Sequence, residues 1–153
     1  MVVAIVGIIA GLALINLRAF SNVLVRSQLN KLHMTCVYLS HAAQAAQEEL
    51  TLTLHTDTNS YDYQGHREYL PAGISFGAPS HVYGPPGNPV HSVQKPSSFD
   101  EDIIHFYKDG TMQAGSIYLT DGKKHTYALT CAVGSLSCLR MYRYDQSWQL
   151  IVE

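Results

Sequence analysis

The sequence predicts an α+β fold: one long N-terminal helix packed on an antiparallel β-sheet body. Three observations carry this. No glycine or proline occurs from Leu12 to Gln64; apolar residues from Val25 to Leu50 recur in steps of four and three; and from Leu50 the period drops to two. The 153 residues fit one ordinary domain with an appended element, but not two full cores. With 46% hydrophobic and 14% charged residues and a net charge of −2, a long disordered tail, a collagen-like repeat and a generally basic nucleic-acid binder are excluded. The charge is placed unevenly. Up to Gln47 there are three basic residues (Arg18, Arg26, Lys31) and no acid, whereas from Glu48 onward there are seven basic and twelve acidic ones. The chain divides into a weakly basic, apolar front and an acidic remainder.

Residues 1–17 read as the transmembrane half of the helix. Met1 to Ile15 is apolar throughout, with Gly and Ala, and the ten Val, Ile and Leu residues up to Leu17 include Val2, Val3, Ile5, Val6, Ile8, Ile9, Leu12, Leu14 and Ile15. Together these ten favour insertion by about 3–6 kcal/mol. Seventeen residues rise about 26 Å, slightly short of the ~30 Å hydrocarbon layer. A cleaved secretory signal would need a basic start and small residues at its cleavage site, and neither is present. A buried core helix is the other alternative, but a small domain seldom surrounds so long an apolar run.

Residues 18–49 read as the amphipathic half. Val25, Leu29, Leu32, Cys36, Leu39, Ala43, Ala46 and Leu50 fall on one helical stripe, while Asn30, His33, Gln44 and Gln47 fall off it. Small Ala and Cys suit close packing on a sheet, so Leu29, Leu32, Cys36, Leu39, Ala43 and Ala46 are assigned to the helix–sheet contact. The helix is expected to end near Glu49, after roughly 70 Å.

Residues 50–153 form the body. Short alternating runs at 50–56, 74–76, 103–107, 116–120, 125–131, 138–144 and 148–152 read as strands. Asp57–Ser60, Lys108–Gly110 and Asp121–Gly122 supply turn chemistry, the last a hairpin signal. No helical period follows Glu49, which disfavours a βαβ arrangement. All six prolines lie from Pro71 to Pro96, so 77–98 reads as one long irregular loop and a candidate partner-contacting surface.

The chemistry in the chain argues against an enzyme. Gly73-Ile-Ser75-Phe-Gly77 matches G-x-S-x-G, but that motif needs a strand-to-helix elbow above a parallel sheet, and here a Pro/Gly loop follows. The eight histidines show no H-x-x-x-H spacing, and Asp57, Asn59 and Asp62 lack the later ligands of a calcium loop. No catalytic residue, metal site or cofactor is expected. Asp100-Glu101-Asp102 reads as a solvated acidic edge. Cys131 and Cys138 bracket a turn-like interval and are assigned to a disulfide worth about 2.5 kcal/mol, which implies an oxidising compartment; the alternative is two reduced buried thiols. Cys36 reads as a small core residue. Arg140 and Arg143, interleaved with Tyr142 and Tyr144, form a weak version of a nucleic-acid-binding pattern, and a solvated strand face is the stronger reading.

Two stretches resemble a known family. Val2-Val-Ala-Ile-Val-Gly-Ile-Ile-Ala-Gly11 is similar to the interior of a prepilin-type N-terminal segment. Ile104-x-Phe106-x-x-Asp109-Gly110, Gly115-Ser-Ile-Tyr-Leu119 and Tyr127-Ala-Leu resemble minor pseudopilins of the type II secretion H type, the GspH/FimT family of the type IV pilin-like superfamily. The resemblance implies a non-enzymatic filament subunit, single-pass in the bacterial inner membrane with its body in the periplasm. Its implied partners are other pilin or pseudopilin subunits and the assembly platform, in type II protein secretion or a type IV pilus. Family chains begin, after a basic leader, at a methylated aromatic residue and carry a glutamate soon after. This sequence starts about seven residues inside that segment, so truncation of the N-terminus is expected. The positive-inside rule alone would put Arg18, Arg26 and Lys31 in the cytoplasm. The resemblance implies instead that a leader carries the cytoplasmic charge, which with the expected cysteine pair would place the body outside. Some FimT-type minor pilins bind DNA through basic C-terminal residues, which makes Arg140 and Arg143 the alternative, DNA-uptake reading. Where the family often has a Gly-Arg pair, this chain has Gly134-Ser135.

Overall fold

The computed structural model describes residues 2–132 and 139–151, with side chains from residue 20 on. Helix α1 spans Val2–Ala46. It stops three residues earlier than expected because Gln47 takes a left-handed φ of 56° and the Glu48 N–H turns back to the Ala43 carbonyl at 3.2 Å. This is a C-terminal stop made without glycine, and so without its usual sequence signal. Val25, Leu29, Leu32, Cys36, Leu39 and Ala43 are buried to 0–1% exposure. Ala46 corrects the stripe: it is exposed, because the chain leaves the helix there before the sheets can cover it. Each fully buried Leu on this face contributes about 1.5–3 kcal/mol.

Among the described residues eleven strands follow: β1 Leu50–His55, β2 Ser60–Tyr63, β3 His66–Tyr69, β4 Ser75–Phe76, β5 Tyr83–Gly84, β6 His91–Ser92, β7 Ile103–Phe106, β8 Gly115–Thr120, β9 Thr126–Cys131, β10 Leu139–Asp145 and β11 Ser147–Leu150. One antiparallel sheet has the order β3-β2-β1-β7 and a second the order β11-β10-β9-β8-β4. Both set their inner faces against α1. Leu52, Leu54, Tyr61, Ile104 and Phe106 come from the first sheet, and Ile117, Leu119, Tyr127, Leu129 and Met141 from the second. The fold is therefore the α+β arrangement expected, with one helix on antiparallel sheets.

The β2–β3 hairpin is absent from the sequence reading. Its loop is Gln64-Gly65, both at positive φ (45° and 80°), between the paired residues Tyr63 and His66. That is the backbone of a two-residue primed turn, formed with Gln where Asn or Asp is the recognisable residue. Lys31 donates to Glu68 at 2.7 Å and Tyr38 to Gln64 at 3.1 Å, tying the hairpin to α1. The Asp121 turn differs too. It is a five-residue loop wound around one carboxylate, whose Oδ1 accepts the N–H groups of Lys123, Lys124 and His125 at 2.9–3.0 Å. The Ser21 hydroxyl of α1 donates to Oδ2 at 3.2 Å.

Residues 77–98 contain more order than expected. The strap leaves β8 with Gly77 N–H donating to the Tyr118 carbonyl at 2.8 Å and returns with Tyr118 N–H donating to Pro96 at 3.0 Å. Between these ends it crosses the outer face of the second sheet and folds into the small β5–β6 hairpin. Trp148 donates its indole N–H to the Tyr83 carbonyl, and Tyr144 donates its hydroxyl to the His81 carbonyl at 3.2 Å. Tyr118 and Tyr144 pack on Trp148 at centroid distances of 5.9 and 5.1 Å. Under this cover even the outward residues Ser116, Tyr118, Thr120, Thr126 and Ala128 are buried.

Two outcomes test these contacts. A Cβ on Gly84 would stand 2.6 Å from the Tyr118 hydroxyl and 2.8 Å from Val93, so Gly84→Val should loosen the strap and cost about 1–3 kcal/mol. Chemical denaturation followed by the fluorescence of Trp148, the single tryptophan, reads it; an unchanged midpoint would contradict the packing. For Asp121, burial works to raise the pKa, but the N–H donors of His125, Lys123 and Lys124 and the Ser21 hydroxyl outweigh it and hold the carboxyl below its usual range. Its contribution is therefore complete above the unfolded value of about 3.9 and fades as pH falls through the lower folded value. Asp121→Ala should cost about 1–3 kcal/mol at neutral pH by stranding its donors, and much less in acid, as measured by thermal unfolding across pH.

Candidate functional site

The surface most suited to a function lies along the free side of α1. Phe20, Val23, Met34 and Tyr38 are 54–64% exposed. At about 100° per residue they fall within an arc of about 60°, and the buried stripe centred near Leu32 and Ala43 lies on the opposite side. One face of the segment is thus covered by its own sheets, while the other exposes apolar side chains interspersed with the polar Ser27 and His41. Met1–Leu17, assigned to the membrane, has its side chains outside the described set. Among the described residues no helix is long and apolar enough to cross a membrane.

The arginines assigned to nucleic acid do not form one patch. On β10, Arg140 pairs opposite Thr130 and Arg143 opposite Tyr127. Three residues of separation put them on opposite faces of the strand. Arg140 is exposed on the outer face, whereas Arg143 is half-buried on the helix side, in a cleft of about 240 Å³ with Asn22, Arg26, Tyr127 and Ile151. A larger cleft, about 580 Å³, lies between the strap and β8–β9 and is lined by Gly84, Gln94, Ser97, Ser116 and Thr130.

The remaining candidates are structural. Ser75 lies in β4 opposite Thr120, and a loop follows it, not a helix. Asn59 turns at φ 48° and its side chain accepts the Phe76 N–H at 3.0 Å, joining the two sheets. Asp62 accepts two bonds from Arg67, at 2.7 and 2.6 Å, and one contact from His55 at 3.1 Å. The Arg67 bonds, with His55 adding to them, bring its pKa down to about 2. Among the described residues no group of three or more His, Cys, Asp or Glu is arranged to hold a metal ion. Cys138 lies outside the described residues. Cys131 is buried on β9, close enough to Cys36 of α1 to affect its titration, a neighbour that their sequence separation hid. Sequence reasoning also missed the Trp148 aromatic cluster, for which the closely spaced Tyr142, Tyr144 and Trp148 were the available signal.

No family model matches the sequence, and no curated protein matches it. Among solved structures, the fold is similar to that of the minor pseudopilin EpsH from the Type 2 Secretion System of Vibrio cholerae. The identity is 9% and the TM-score 0.50, over 84% of this chain and 96% of that one. The shared feature is the fold, a pilin-like helix on antiparallel sheets.

Burial, reinforced by Cys131, pushes the Cys36 thiol up to about 12. At pH 8 the thiol stays protonated, and only the thiolate is the nucleophile. Site-resolved alkylation of the native chain should leave Cys36 unmodified until denaturant is added, and prompt native labelling would contradict the packing of α1 on β9.

Proposed function

We propose that this chain is a non-enzymatic minor pseudopilin or minor pilin of the GspH/FimT type, a subunit of a type II secretion pseudopilus or a type IV pilus. The observation that carries the reading is the pilin-like fold combined with the exposed apolar residues Phe20, Val23 and Met34 along the outer side of α1. In this reading Met1–Leu17 anchors the subunit in the inner membrane with its body in the periplasm. During assembly that segment exchanges lipid for neighbouring helices, and Phe20, Val23, Met34 and Tyr38 extend the contact beyond the membrane. The body and its strap select partners among the other subunits. No nucleotide-binding motif occurs in the sequence, so the work of assembly falls to a separate ATPase. DNA uptake has less support, because Arg140 and Arg143 face opposite ways.

The anchor and the filament face are tested separately. Ile8→Lys adds about 3 kcal/mol to the cost of insertion, and should release the protein from carbonate-washed membranes and abolish secretion or piliation. Met34→Glu should leave membrane retention and the folded body intact yet reduce filament incorporation in pull-downs of assembled fibres. Normal secretion and piliation with both variants would count against the proposal.

A further inference from the structure

The small cleft between α1 and β9–β11 has the chemistry of an anion site. Arg26 of the helix and Arg143 of β10 line it together with Tyr127, and among the described residues no Asp or Glu lines it. Among the described residues neither arginine has a carboxylate within ion-pair distance. Asp121, the acid that acts on Tyr127, is already engaged by Ser21 and three backbone N–H groups. The Tyr127 hydroxyl donates to Asn22 Oδ1, and both N–H groups of the Asn22 amide are left without a partner among the described residues. The cleft therefore offers the donors of two guanidinium forks and of the Asn22 amide, with the Gln149 amide beside them. Phe20, Val23 and Leu150, at 64%, 64% and 46% exposure, add apolar surface close by.

Position supplies the ligand. This step rests on the anchored reading of Met1–Leu17. Asn22 lies about 7.5 Å along the helix beyond Leu17, and Arg26 about 13 Å beyond. The headgroup layer extends about 5–7 Å past the hydrocarbon. Helical side chains lean toward the N-terminus, and arginine stems snorkel, so the Arg26 guanidinium reaches back to that layer. We propose that this cleft seats the phosphate of an anionic phospholipid headgroup, gripped by Arg26 and Arg143 and oriented by Asn22. Arginine's planar fork suits bidentate contact with phosphate oxygens. Occupation would fix the rotation of the subunit about its helix while it waits in the membrane, with Met34 and Tyr38 presented to incoming subunits.

The test is native mass spectrometry of the full chain released from micelles holding equal amounts of phosphatidylglycerol and phosphatidylcholine. The expected result is retention of phosphatidylglycerol by about thirtyfold over phosphatidylcholine, from two basic residues at an anionic surface. The preference should vanish in the Arg26→Gln/Arg143→Gln variant, persist largely in Arg26→Lys/Arg143→Lys, and be unchanged in Lys123→Gln/Lys124→Gln. Equal retention of the two lipids, or a preference that survives the double Gln variant, would overturn the assignment. So would equally tight capture of inorganic phosphate without lipid, which would make the site one for free phosphate. Loss of a chain–chain complex in the Gln variant without any change in lipid retention would also overturn it, in favour of a neighbouring subunit's carboxylate. Flotation on vesicles of phosphatidylcholine alone separates this from the anchor. A chain that fails to float has no anchor, whereas headgroup preference is a ratio between bound lipids and is judged independently.

Discussion

Everything in the body is referred to the buried face of α1. Each of the two sheets presents its apolar inner face to the same stripe, from Val25 to Ala43, so the helix is the common wall of the core. The residues there are graded in size: Leu at 29, 32 and 39 fill space, while Cys36, Ser40 and Ala43 let strands and turns approach closely. The Ser40 hydroxyl meets the Gly110 carbonyl of the β7–β8 turn, and a Cβ on Gly110 would stand 3.4 Å from the Gln44 side chain. A larger residue at Ser40 or Ala43 would push that turn away. Such close approach leaves the opposite side of the helix uncovered, and that side carries the exposed apolar residues.

The second sheet is covered on both sides at β8 and β9, whereas antiparallel sheets commonly leave one face to solvent. Its inner face belongs to α1. Its outer face at β8 and β9 is covered by the strap, held by three backbone hydrogen bonds to β8 and two side-chain bonds from Tyr144 and Trp148. The prolines and glycines that make 77–98 look irregular serve this route. Gly84 passes against the Tyr118 hydroxyl, and Gly115 leaves room for the Phe99 ring, which a Cβ would meet at 2.6 Å. A segment of this composition cannot form a long strand, but it can follow a surface closely. It leaves Tyr83 and Val90 exposed at its crest, where a partner could read them.

Where the helix leaves its apolar front, polar contacts take over. Ser21 reaches the Asp121 loop and Asn22 receives the Tyr127 hydroxyl, so two successive helical residues lock the β8–β9 turn and β9 to α1. These are side-chain bonds in a part-buried setting, more direction-dependent than the core below them. The same packing brings Arg26 and Arg143 into one cleft.

Much of the architecture was legible in the chain because it depends on local period. The 4-3-4-3 spacing located the helix and its buried face, and Leu50, Leu52 and Leu54 marked β1 by alternation. The turn at 108–110 announced itself through Asp and Gly. What was not legible depended on contacts between distant residues. Gln47 ends the helix with no glycine, Gln64-Gly65 turns a hairpin with Gln in place of Asn, and Ala46 falls just past the edge of the sheets. The candidate cleft was hidden for the same reason: Arg26, Tyr127 and Arg143 are far apart in sequence, and only the packing of α1 on β9 and β10 brings them together. Local periodicity therefore determined the elements and the class of fold, while the tertiary structure decided which faces are covered, which remain free, and where unpaired charge collects, since burial and charge pairing belong to the folded arrangement as a whole.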